Sequence, residues 1–66
     1  MTMNQNHKEL LWMLRRFNLI KGQPCPNDLF NGETYAEMDQ NGWVERDDKG
    51  VYITNKGLED VKQAEG

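Results

Sequence analysis

Between His7 and Phe17 the chain reads HKELLWMLRRF, and Leu10, Leu14 and Phe17 recur at helical spacing with Leu11 beside them. This predicts an amphipathic helix. Asn6 is placed to cap it, with Glu9 in capping-box position, and residues 1–6, which lack periodicity, read as a flexible lead into one domain spanning 7–64. Trp12 and Met13 widen the apolar arc: Trp12 either joins the core or faces a partner, since large aromatics anchor such contacts. Leu19 and Ile20 read as a short extended segment crossing toward a hairpin, ended by Gly22. Gln23-Pro24-Cys25-Pro26 is a stiff connector, because proline disfavours helical geometry in the residue before it. Pro26 then suits the start of a single helical turn over Asn27–Phe30, which Asn31-Gly32 breaks.

Gly32 or Thr34 starts the next helix, with Tyr35, Met38 and Ala36 as its inward stripe and Gly42 as its stop. Trp43 and Val44 open a strand, Asp47-Asp48-Lys49-Gly50 interrupts it, and Val51-Tyr52-Ile53 resumes it, which reads as a short hairpin. Asp48 or Lys49 sits at the turn and Gly50 takes a positive φ. Trp43 and Val44, as strand neighbours, are expected on opposite faces. After Thr54, Leu58, Val61 and Ala64 mark a last helix that Thr54 or Asn55 caps. A two-stranded hairpin is at best marginal alone, so its apolar face must rest on helices. The expected class is α+β, in the order helix, short helix, helix, hairpin, helix.

Met38, Gly42, Trp43 and Val44, followed by Gly50-Val51-Tyr52-Ile53-Thr54 and Gly57, resemble the path of a winged helix-turn-helix domain. In that family a leucine and a glycine lead out of the recognition helix into an apolar pair, and a Tyr-x-Leu-Thr-x-x-Gly step leads from the wing into a final helix. The resemblance implies a small regulator that binds DNA, commonly as a dimer, with the second helix of the motif in the major groove and the wing against the backbone. Carried onto this chain, and joined to its cations, the DNA reading takes Arg15, Arg16, Lys21, Thr34, Gln40, Arg46 and Lys49 as contacts.

Charge changes that picture. Residues 1–21 carry Lys8, Arg15, Arg16 and Lys21 against Glu9 alone, whereas residues 22–48 carry seven carboxylates against Arg46. The segment matching the recognition helix holds Glu33, Glu37 and Asp39 with no lysine or arginine, the wrong sign for a phosphate-lined groove. A second reading therefore takes the same scaffold as a protein-interaction module, an adaptor or inhibitor using Trp12, Glu33, Glu37 and Asp39 against a basic partner or in self-association.

Chemistry is sparse. The single cysteine, Cys25, excludes an internal disulfide and fits a reducing cytoplasm, and the one histidine, His7, lies near a mobile N-terminus, far from that cysteine in sequence. With no phosphate-gripping glycine loop and no metal-spaced cluster, neither catalytic residue, cofactor nor metal ligand is expected, and the protein is read as a non-enzyme. No apolar run is long enough to suggest a membrane partner.

Overall fold

The computed structural model describes residues 3–65. Helix α1 spans Gln5–Arg15 and runs on into a single π-helical turn, Arg16–Ile20. A 3-10 turn follows at Asn27–Leu29, then α2 at Gly32–Gln40, strands β1 at Val44–Arg46 and β2 at Val51–Ile53, and α3 at Asn55–Glu65. The order is the expected one, and three helices around a two-stranded hairpin make a winged-helix-like arrangement.

Helix α1 starts earlier than its sequence suggests. Asn4, not Asn6, is the cap, its side chain accepting from the His7 N–H at 2.8 Å. The earlier start brings Met3 and His7 into register with Leu11 and Leu14, and all four are buried. Hydrophobic burial at Met3 decides between two equivalent asparagine caps, while Asn4, Gln5 and Asn6 are exposed. Met1 and Thr2, the remainder of the expected flexible lead, lie outside the described residues.

Leu19 and Ile20 do not extend toward the hairpin. They lie in the π turn, closed by the Lys21 N–H donating to the Arg16 carbonyl at 3.0 Å, and are 58% and 69% exposed. The outer edge of β2 is instead covered by Cys25, which exchanges two backbone hydrogen bonds with Val51, at 2.9 and 2.8 Å. Pro24 and Pro26 hold Cys25 extended between them, so its amide and carbonyl remain free to pair. Asn18 covers the next position: its Oδ1 accepts from the Ile53 N–H at 2.7 Å and its Nδ2 donates to the Gln23 carbonyl at 2.9 Å. The outer amides of β2, those of Val51 and Ile53, are thereby satisfied without a third strand.

β1 and β2 pair antiparallel in the register Val44 with Ile53 and Arg46 with Val51. In the four-residue turn the Asp47 carboxylate accepts from the Lys49 and Gly50 N–H groups, at 2.8 and 3.2 Å, which leaves Asp48 and Lys49 at the tip. Trp43 and Val44 are both buried, not divided between faces. Trp43 still belongs to the exit from α2, so the two-residue alternation begins only at Val44. That exit is a Schellman closure: Gly42, at φ +74°, donates to the Asp39 carbonyl and Trp43 donates to that of Met38, at 2.9 and 3.1 Å. Thr54 caps α3, accepting from the Gly57 N–H at 3.0 Å while its hydroxyl donates to the Gly42 carbonyl at 2.6 Å. Among the expected inward residues, Ala36 and Ala64 are exposed.

Candidate interaction surface

α2 is the element whose surface decides what the scaffold can meet. Asn31 caps it by accepting from the Thr34 N–H at 2.7 Å, and Met38 and Thr34 turn inward. Thr34, expected as a base contact, is thus buried and withdrawn from the surface. Glu33, Ala36, Glu37, Asp39 and Gln40 remain on the outside. Glu33 sits in the first turn, where the helix dipole favours a carboxylate.

Glu37 is not a free surface charge. Its Oε1 lies 3.1 Å from His7 Nε2, joining α2 to the first turn of α1, and half of its side chain stays exposed. His7, at the N-terminal edge of the expected helix, is 7% exposed and meets Trp43 edge to face at 5.3 Å. Its Nδ1 has no partner among the described residues. On the far side of the indole, Trp43 Nε1 donates to Asp60 Oδ2 at 2.8 Å, and Lys56 Nζ donates to the same oxygen at 2.8 Å. This chain of contacts ties α1, α2 and α3 together.

Its acid limb is testable. The Lys56 ammonium and then the Trp43 indole N–H hold the Asp60 carboxyl below its ordinary value of 3.8. A carboxyl depressed on folding stabilises fully above its unfolded value and loses that contribution as pH falls through the folded one. Melting temperature should therefore drop below about pH 4 more steeply in the parent protein than in Asp60→Asn, whose amide oxygen still accepts from Trp43. Parallel acid limbs in the two melting profiles would refute that assignment.

The hairpin supplies the rest of the surface. The Arg46 guanidinium lies 4.7 Å from the centre of the Tyr35 ring, and Tyr35 meets Phe30 edge to face at 6.3 Å. The wing cation is thus laid on α2, where leaving costs about 0.5–1 kcal/mol at an exposed site. Asp39 and Glu45 crowd the same ring: burial first, then these carboxylates, push the Tyr35 phenol up, with Arg46 opposing them. Burial and the Asp47 and Asp48 carboxylates likewise push Tyr52 up. Along α2 and the wing, the exposed side chains include Glu33, Glu37, Asp39, Glu45, Asp47 and Asp48, against Arg46 and Lys49.

The other cations lie on α1 and the turn after it. Arg15 stands over Trp12 at 5.5 Å, Lys21 over Phe17 at 5.0 Å, and Arg16 is exposed. Trp12 itself is half-buried in a groove between α1 and α3. None of the residues lining that groove comes from α2.

Family models, curated proteins and solved structures gave no match to this chain.

The geometry therefore stands by itself. Among the described residues no group of three or more His, Cys, Asp or Glu side chains gathers to hold a metal ion, and no helix is long and apolar enough to cross a membrane. Cys25 is fully buried, and burial first, then Asp28, pushes its thiol up, which disfavours the thiolate a nucleophile needs. His7, Asn18 and Asp60 are the working residues that sequence reasoning passed over. Only His7 carried a signal, being four residues before Leu11 and seven before Leu14.

Proposed function

We propose that this protein is a small regulatory module that works by binding, and that α2 and the wing engage a basic surface on a partner protein. The observation that carries this reading is the charge of the exposed α2 and wing surface, six carboxylates against Arg46 and Lys49, with Arg46 already stacked on Tyr35. Duplex DNA binding draws most of its affinity from cations that displace counterions, and here that helix would meet phosphates with carboxylates. Against a cationic protein surface the same field steers association and suppresses wrong partners.

DNA is the second reading, favoured by the winged-helix-like order of elements and by the exposed Arg16, Lys21 and Lys49. Fold alone is an associational guide to function. Fluorescence anisotropy separates the two readings, with a labelled mixed-sequence duplex and a labelled arginine-rich peptide titrated at about 50 and about 150 mM salt. The expected result is salt-dependent peptide binding, lost in Glu33→Lys/Asp39→Lys, with no micromolar DNA binding by the parent protein at either salt. Micromolar DNA binding that weakens in Arg16→Ala/Lys21→Ala would establish the DNA reading instead, and peptide binding indifferent to the α2 reversals would remove the acidic-face reading.

A further inference from the structure

We propose that the Tyr35 ring is a guanidinium-binding subsite of the α2 and wing face, held in the free protein by Arg46 and taken by an arginine of the partner. The proposal rests on the acidic-face reading above and names the side chain that this face selects. The structure already seats a guanidinium there. Arg46 Cζ lies 4.7 Å from the centre of the Tyr35 ring, and Phe30 meets that ring edge to face. Two other rings carry a cation, Trp12 under Arg15 and Phe17 under Lys21, but both belong to α1 and the turn after it. Tyr35 stands instead on the acidic face, with Asp39 one turn further along α2 and Glu45 just before Arg46 in β1.

Arg46 is fixed at its backbone and loose at its side chain. Its strand position pairs with Val51, whereas the side chain is exposed and forms no ion pair among the described residues, which leaves the ring contact as its hold. Releasing it unmakes one surface contact and keeps the hairpin register. A cation–π contact at an exposed site leaves the ring free for only a fraction of the time, and an incoming arginine binds more weakly by that fraction. A flat guanidinium stacks on an aromatic face, which a compact, strongly hydrated ammonium does less well, so the subsite favours arginine over lysine. Charge brings a basic partner to the face, and Tyr35 selects within it.

Fluorescence anisotropy with two labelled peptides of equal length and charge, one arginine-rich and one lysine-rich, tests this. Arg46→Ala and Lys49→Ala remove the same charge from the wing, but only the first empties the ring. Arg46→Ala should tighten arginine-peptide binding about three- to sixfold more than Lys49→Ala does, the factor by which a contact of this class masks the ring. The lysine peptide should gain nearly equally in the two variants. Arg46→Ala/Tyr35→Leu, with its fold checked by circular dichroism, should lose the extra gain, whereas Arg46→Ala/Tyr35→Phe, which keeps a ring, should retain most of it. Equal gains in Arg46→Ala and Lys49→Ala, an extra gain that survives Tyr35→Leu, or one shared equally by the lysine peptide would each overturn the subsite. The acidic-face reading would then still stand wherever Glu33→Lys/Asp39→Lys loses the peptide. No binding of either peptide to any variant would end both.

Discussion

Trp43→Ala is expected to leave the protein largely unfolded at room temperature. The indole is 2% exposed and stands where three helices meet: His7 of α1 against its ring, Met38 of α2 bonded to its N–H, Asp60 of α3 bonded to its Nε1. Its carbonyl also accepts from the Thr54 N–H at 3.0 Å, which sets the start of α3. Truncating a buried aromatic to alanine costs about 3–5 kcal/mol, and a single core in a chain this short rarely supplies more than about 3–5 kcal/mol in total. The two figures are comparable, so little net stability remains. Trp43→Phe keeps most of the packing and loses the bond to Asp60; it should remain folded and melt below the parent protein. Far-UV circular dichroism read with a thermal melt separates the outcomes, and Trp12 remains as a fluorescent reporter in both variants. A Trp43→Ala protein melting cooperatively near the parent temperature would show that the three helices are held together elsewhere.

That hub explains which parts of the molecule can be read from sequence. Elements whose signals are local were legible: Gly42 closing α2, Asp47 to Gly50 turning the hairpin, Thr54 capping α3. Each rests on a residue type within a few positions of the bond it makes. The start of α1 was not legible, because Asn4 and Asn6 are equivalent as caps and only burial of Met3 and His7 separates them. The π turn was less so still. What holds it includes Asn18 bonding to Ile53, 35 positions away, a contact that exists only once β2 is in place. From sequence Leu19 and Ile20 read as a short extended segment, whereas the edge of β2 is held by Cys25, fixed between two prolines.

The candidate surface divides the same way. Its sign could be counted from the chain, since charge is additive along a sequence. Its availability could not. Glu37 is partly engaged by His7, 30 positions away, and Arg46 by Tyr35 of the preceding element, and neither engagement shows in a count of charges. The surface carboxylates that carry the functional reading on α2 are therefore Glu33 and Asp39, neither of which forms an ion pair among the described residues, and the variants above are confined to them.

Gly50→Ala is expected to cost about 2–4 kcal/mol, close to what the whole fold holds in reserve. Gly50 sits at φ +153°, where an L side chain is strained, and a Cβ there would lie 2.5 Å from the Cys25 carbonyl oxygen and 3.0 Å from Pro24 Cβ. That same oxygen accepts from the Val51 N–H at 2.8 Å, so relieving the clash means moving the segment that covers β2. The matched control is Gly22→Ala. Gly22 also has a positive φ, +68°, but nothing lies within 4 Å of its would-be Cβ. It should cost only the left-handed penalty of about 1–2 kcal/mol. Urea midpoints of the two variants measure the difference, and equal midpoints would remove the steric part of the account. A second readout follows the displaced segment itself. Cys25 is fully buried, with its thiol pushed up, so the parent protein should react slowly with a disulfide reagent under native conditions. Gly50→Ala should react markedly faster and Gly22→Ala only slightly so, because only the first substitution pushes the Cys25 backbone away from β2.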